Sequence, residues 1–271
     1  MKIHFLGTAA AEGIPNPHCT CSVCEETRKR GGKNIRSRTS VIFDDELKVD
    51  DPPDAFYHAV RDQINFTKLK DLLITHTHGD HFTPQDLLNR IEGFAHGVNA
   101  PLHVYGNDLA VQGYRQNIPP DKNRFVYHRV LPFQEIKTQT ATITPLLADH
   151  DPNETCLLYY IEKDGKQILY GNDTGWFPEA TWEWLKGKQL DLAILDCTGG
   201  YYKNKRSRNH MCIETVLEVK KVFQEEHIMK ENGRIIATHF THNAGLLHEG
   251  FVEAFEPYQI EVAYGGMIIN I

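Results

Sequence analysis

Along most of the chain, short apolar runs alternate with amphipathic stretches. Alternating or continuous apolar runs predict strands at 2–6, 38–43, 71–75, 101–105, 125–130, 140–147, 155–162, 167–171, 190–195, 234–238, 259–264 and 267–271. Apolar residues at helical spacing predict helices near 53–65, 84–94, 107–117, 178–187, 210–230 and 244–256. In the helix from 210, Ile213, Val216, Leu217, Val222 and Phe223 fall near one face, and Asn232-Gly233 is its expected stop. Asp164-Gly165 between two apolar runs is a two-residue hairpin signal. Interspersed helices with strands before and after the middle predict a mixed, layered α/β fold rather than a repeating βαβ barrel. No repeat, low-complexity tract or linker interrupts residues 1–271, so one domain is expected.

Several apolar strands run directly into polar residues of metal-ligand type. Leu72-Leu73-Ile74-Thr75 leads into His76, Ile168-Leu169-Tyr170-Gly171-Asn172 into Asp173, Leu192-Ala193-Ile194-Leu195 into Asp196, and Arg234-Ile235-Ile236-Ala237-Thr238 into His239. Each strand spends its middle in the core and delivers a ligand at its C-terminal end. If those ends share one sheet edge, a metal site follows.

Composition narrows the classes. At 41% apolar and 24% charged the chain is of globular type, and no run approaches the ~18 apolar residues of a membrane span. Its opening, Met1-Lys2-Ile3-His4, offers a Lys before apolar and small residues as a signal peptide does, but the apolar stretch is short and holds a His. A cytoplasmic chain without a membrane partner is therefore expected. With 29 basic against 36 acidic side chains, the net charge of −7 disfavours non-specific nucleic-acid binding.

Three of the six cysteines crowd together as Cys19, Cys21 and Cys24. A disulfide framework spreads its half-cystines; a C-x-C-x2-C cluster reads instead as three thiolates awaiting a fourth zinc ligand. Cys156, Cys197 and Cys212 stand in apolar context and are expected to be small core residues. His4, His58, His96, His103, His128, His227 and His248 have no ligand-type neighbours and are expected to be structural or solvated.

His76-Thr77-His78-Gly79-Asp80-His81 concentrates four potential ligands in six residues. In extended chain, His76 and His78 point the same way and can grip one ion. Gly79 is expected to permit a turn that other residues resist, after which Asp80 and His81 can hold a second ion. Pro84 suits the first turn of a helix that anchors the loop. His150, Asp173 and His239 are the natural completers, and a carboxylate such as Asp173 can bridge two cations.

The H-x-H-x-D-H motif with isolated His, Asp and His downstream resembles the metallo-β-lactamase superfamily. The resemblance runs from Phe5-Leu6-Gly7-Thr8 to the final strand and implies a four-layer αβ/βα sandwich with two divalent ions, Zn or Mn, at one edge of the sheets. It implies His76, His78 and His150 on one ion, Asp80, His81 and His239 on the other, and Asp173 between them. The cysteine cluster together with His239-Phe240-Thr241-His242 is similar to the PhnP phosphodiesterase family of the carbon–phosphorus lyase pathway. That likeness implies a structural zinc held by Cys19, Cys21, Cys24 and His242, with His18 the competitor for the fourth place. It also implies a cationic loop, Lys203, Lys205, Arg206 and Arg208 ahead of His210. There His210 and Arg208 would contact the substrate phosphate, and Asp80 and His210 would be the catalytic side chains. Asp196 is expected to orient ligands rather than bind metal.

This chain carries Val49-Asp50-Asp51-Pro52-Pro53-Asp54 where relatives often have Asp-Ala-Gly, so either Asp50 or Asp51 takes the orienting role. Residues 107–135 match nothing obvious. The expected activity is hydrolysis of a small, often cyclic, phosphodiester by a hydroxide shared between two ions. Alternatives are an RNase Z-type tRNA endonuclease, which should carry a protruding basic arm, an acyl hydrolase, and a PqqB-like carrier without hydrolytic activity. The oligomeric state is open, with a homodimer among the options.

Overall fold

The computed structural model describes residues 1–201 and 208–271. Its first sheet is built from β1 (Lys2–Gly7), β2 (Ser40–Phe43), β3 (Leu47–Val49), β4 (Asp71–Leu73), β5 (Leu102–Gly106), β6 (Phe125–Arg129) and β14 (Met267–Asn270). The second comprises β7 (Ile136–Lys137), β8 (Thr142–Leu147), β9 (Leu157–Lys163), β10 (Lys166–Gly171), β11 (Leu190–Asp196), β12 (Met229–Thr238) and β13 (Ile260–Val262). The orders are β14-β1-β2-β3-β4-β5-β6 and β13-β12-β11-β10-β9-β8-β7. In each sheet one half is antiparallel and the other parallel: β3 to β6 in the first and β10 to β13 in the second.

Side-chain alternation explains the layers. In β11, Leu192 and Ile194 face the other sheet while Ala193 and Leu195 face helices, the two-residue period of a strand buried on both faces. Between the sheets lie Ile3, Phe5, Val41 and Phe43 of one and Ile161, Ile168 and Tyr170 of the other. Each such side chain contributes about 1.5–3 kcal/mol by leaving water. Helix α3 (Asp108–Asn117) covers the first sheet's outer face through Ala110 and Tyr114. On the second sheet's outer face lie α4 (Glu179–Leu185), α5 (Ile213–Glu225) and α6 (His248–Phe255), through Trp182, Phe223 and Phe251 among others. The result is the expected four-layer αβ/βα sandwich. Among the described residues no helix is long and apolar enough to cross a membrane.

The expected strands form, and Asp164 and Gly165 take φ of 52° and 75° at the β9–β10 hairpin, as a type I′ turn requires. Other expectations need correction. The helix near 84–94 is a 3-10 segment, Pro84–Arg90, with Pro84 in its first turn. The helix from 210 spans only Ile213–Glu225; His227, at φ 54°, makes the reversal, and Asn232-Gly233 lies inside β12. A Cβ on Gly233 would lie 2.8 Å from the Leu190 carbonyl oxygen, so glycine there serves close strand approach. The sequence pattern did not predict α1 (Ser22–Arg30), the short strands β3 and β7, or a helix ending as early as α2 (Ala55–Asp62).

Candidate metal centre

Strands β3, β4, β8, β10, β11 and β12 all end at one edge. Leu157 N–H donates to the Thr75 carbonyl there, 2.9 Å, joining the two sheets. Asp50, Asp173 and His239, one or two residues past their strands, take left-handed φ of 62°, 56° and 61°, an uncommon conformation outside glycine that turns the chain sharply. Between His78 and His81 the chain makes a tight turn, His81 N–H donating to the His78 carbonyl at 2.9 Å. Gly79 has no positive φ and open space around its Cα, so this turn does not depend on glycine as expected.

The residues singled out by sequence converge. The ligand atoms of His76, His78, His150 and Asp173 lie within 4.8 Å of one another, as do those of Asp80, His81, Asp173 and His239. Asp173, 3% exposed, belongs to both sets. His78 Nδ1 is 3.1 Å from His150 Nε2, and His239 Nε2 is 3.3 Å from His81 Nε2. Asp173 Oδ2 is 2.8 Å from His81 Nε2 and 3.3 Å from His76 Nε2.

The outward nitrogen of each imidazole is held by an acceptor. His76 Nδ1 meets Thr75 Oγ1 at 3.0 Å, His78 Nε2 meets Asp151 at 2.9 Å, and His81 Nδ1 meets Asp50 at 2.8 Å. His150 Nδ1 reaches the Asn209 carbonyl at 3.1 Å, and His239 Nδ1 reaches Thr198 Oγ1 at 2.8 Å. Such partners fix the tautomer and leave the inward nitrogens as lone pairs. Lone pairs facing one another at about 3 Å repel unless a cation or proton lies between them. The buried His76 Nε2 and Asp173 Oδ1 have no hydrogen-bond partner, which marks the same space as lacking positive charge. The donor set therefore fits divalent cations.

Electrostatics agree. Burial would raise the Asp173 pKa, yet the imidazoles around it, His239 first and then His76 and His81, hold it well below the usual range. Burial opposes charge on His239, but Asp173, Asp196 and Asp80 push it up to about 10. His150 is lowered to about 4, chiefly by burial, and so offers a neutral imidazole.

Of the two candidate orienting aspartates, Asp50 reaches the site. Fully buried, it accepts from Thr75 N–H at 2.9 Å, from the Thr75 hydroxyl at 2.9 Å and from His81. Through that hydroxyl it also governs His76. Asp51 instead pairs with the buried Lys48 at 2.6 Å. Sequence reasoning missed Asp151 and Glu154, which carry no local signature. Glu154 accepts from Thr77 N–H and hydroxyl at 2.9 and 2.8 Å and from Asn107 at 2.7 Å, clamping the chain between His76 and His78.

His210 joins the cluster, Nδ1 3.0 Å from Asp196 and 3.2 Å from Asp173, with a third of its side chain exposed. Burial lowers its pKa, but Asp196 and then Asp173 raise it above the ordinary value. Asp196 touches His239, His210 and Thr198, and its ligand atom also lies within 4.8 Å of those of Asp173, His210 and His239, so the structure brings it within reach of a metal as well as of the histidines it was expected to orient. Arg208 is paired to Asp149 at 3.1 Å, at the rim. Lys203, Lys205 and Arg206 lie outside the described residues.

A second set of donors forms beside the first. Cys19, Cys21, Cys24 and His242 present ligand atoms within 4.8 Å of one another, and His242 Nδ1 is 3.4 Å from Cys21 Sγ. His18 is exposed and not among them. Helix α1 places Cys21 at its cap, where the helix N-terminus favours thiolate, and Cys24 in its first turn, where burial pushes the thiol up to about 11. A hydrogen bond from the Cys24 backbone lowers the Cys21 thiol to about 6, and His242 adds to this against burial. Glu12 lies 3.6 Å from His242 Nε2, leaving Nδ1 to the sulfurs.

Comparison with solved structures finds this architecture in several proteins. A diphosphatase from the PhnP family shares 22% identity, with 100% of this chain and 97% of that chain covered and a TM-score of 0.76. Zn(2+)-bound PqqB from Methylobacterium extorquens shares 16%, with both chains fully covered and a TM-score of 0.73. The short form of human tRNase Z shares 16%, covering 100% and 99%, with a TM-score of 0.68. These likenesses are of fold. No curated protein matches in sequence. Residues 51–240, which carry the H-x-H-x-D-H motif, His150, Asp173 and His239, match the family described as the β-lactamase superfamily domain. The chain belongs to that superfamily.

Proposed function

We propose that the chain is a metal-dependent hydrolase of small phosphodiesters, cyclic ribose or nucleotide phosphates among them. The observation that carries the reading is the pair of donor sets sharing Asp173, every histidine in them oriented by an acceptor. His76, His78 and His150 would hold one divalent ion, Zn or Mn, and Asp80, His81 and His239 the other, with Asp173 common to both. Bound cations supply the Lewis acidity that polarises a phosphoryl oxygen and lowers the pKa of water.

The remaining roles belong to the chain's own side chains. Asp196 holds His210 Nδ1 at the partly exposed side of the cluster, and we assign His210 to a phosphoryl or leaving oxygen of the substrate, as donor or acid. Asp196 and then Asp173 raise its pKa against burial, which favours the protonated ring. Cys19, Cys21, Cys24 and His242 would close a structural zinc site, three residues along the chain from His239, and so brace the segment that presents it. The PhnP-family diphosphatase supports chemistry at phosphorus, and PqqB supports zinc.

The test is a substrate panel on metal-replete protein: a chromogenic phosphodiester, a diphosphate ester, a lactone and a β-lactam. Phosphodiester turnover, with about three ions per chain, is the expected result. Turnover of the lactone alone moves the reading to acyl hydrolysis. A fully loaded protein inert to all four favours a carrier of the PqqB type.

A further inference from the structure

Beneath the metal-binding loop, on the outer side of the first sheet, lies a cavity of about 180 Å³. This is smaller than the roughly 300–1,000 Å³ of sites for drug-sized ligands, so it suits a fragment-sized molecule. Leu69, Leu72 and Leu102, all buried, line it together with Phe66 and Leu87. Asp51, only 4% exposed, also lines the cavity, and its Oδ2 is buried with no hydrogen-bond partner. A buried carboxylate oxygen in that state is costly and asks for a donor.

Two cations also line the cavity, Lys48 and Arg90; both are bonded, and Arg90 keeps one buried N–H, at Nε, without a partner. Lys48 donates to the Asp50 carbonyl and to Asp51 Oδ1, both at 2.6 Å. Arg90 donates to the carbonyls of Phe66 and Ala100, at 3.3 and 3.1 Å. Asp86 lines the cavity and makes no ion pair among the described residues; burial and the Asp51 charge raise its pKa. Lys48 is taken up by Asp51 Oδ1, which leaves Asp51 Oδ2 and Asp86 facing the cavity, and a further cation relieves their repulsion.

We propose that this cavity binds a small amine with an apolar body, its ammonium group taken up by Asp51 and Asp86. Occupancy reaches the metal-binding loop through the backbone. Asp51 N–H donates to the His81 carbonyl at 2.8 Å, and Thr83 N–H donates to the Asp51 carbonyl at 2.9 Å. Binding to Asp51 is therefore felt at His81 without contact with the metal donors.

Benzylamine is the probe, with benzyl alcohol and benzoate as neutral and anionic counterparts. Each is titrated into the full-length, metal-loaded protein and followed by backbone amide NMR. Benzylamine should shift the Asp51 and Thr83 amides saturably and bind at least about tenfold tighter than benzyl alcohol, with benzoate inert. Asp86→Asn should weaken benzylamine at least fivefold and leave benzyl alcohol unchanged, while Ala95→Trp, which fills the cavity wall, should abolish both. Equal response to amine and benzoate, shifts confined to other parts of the chain, or an unchanged response in Ala95→Trp would overturn the proposal. The titration on unaltered protein decides the matter even if a variant fails to fold, and it reads binding whatever reaction the metal centre catalyses.

Discussion

Replacing Asp50 by Asn tests the chain of orientation that runs through both donor sets. The carboxylate accepts three hydrogen bonds, from Thr75 N–H, the Thr75 hydroxyl and His81 Nδ1, and is fully buried. Asn keeps the volume and one acceptor oxygen but turns an amide donor toward one of these partners. Losing a group that orients a metal-binding histidine typically lowers metal affinity 10–100-fold, about 1.4–2.7 kcal/mol. His81 contacts Asp50 directly and His76 only through Thr75. The ion held with His81 should therefore suffer the full loss and the ion held with His76 a smaller one. Alanine would leave three buried donors unmatched, at about 1–3 kcal/mol each, a large share of the 5–15 kcal/mol that holds a typical domain together. Asn is thus the informative change. Stepwise calorimetric titration of metal-free protein with zinc separates the binding steps. Unaltered affinities at both, in a variant that remains folded, would refute the proposed role of Asp50.

Other outcomes can be checked more simply. His210→Ala should lower diester turnover by about 10²–10⁴ while leaving metal content intact; unchanged kinetics would remove His210 from the mechanism. His242→Ala should reduce the ions per chain by one and abolish the fraction resistant to chelation; if this costs about 3 kcal/mol, the melting midpoint falls roughly 6–10 °C. His58 is fully buried, and burial, then the Lys48 and Arg61 charges, depress its pKa to about 2. Its folded value lies below the unfolded value of about 6.5, so its contribution is complete above that pH and is lost as pH falls. Denaturant titrations should find about 2 kcal/mol less stability at pH 5 than at pH 7 from this group, and His58→Gln should remove that difference.

Much of the site was legible because strand chemistry is local. An apolar run that ends in His or Asp shows its candidate ligand in sequence, as at His76, Asp173 and His239. Supports contributed by loops were not legible. Glu154 meets Thr77 across 77 positions of chain, and no spacing rule connects them. Asp50 and Asp51 are neighbours with the same side chain, so only the fold shows which one faces His81 and which one Lys48. Helix α1 escaped notice because its stretch is mostly charged, with Val23, Cys24 and Thr27 its buried residues. Asn232-Gly233 misled for the opposite reason: its usual meaning as a helix stop was overridden by the close packing of β12 on Leu190.

The two halves of the donor array hang from different sheets. His76 to His81 follow the first, while His150, Asp173 and His239 follow the second. The hydrocarbon filling between the layers, roughly 10 Å thick in such sandwiches, thus acts as a gauge block for the gap between the two halves. A methyl group removed from Ile161, far from the donor atoms, would let the jaws settle by a fraction of an ångström. Loss of reactivity on warming should therefore precede loss of secondary structure, because calibration of the jaws fails before the frame does.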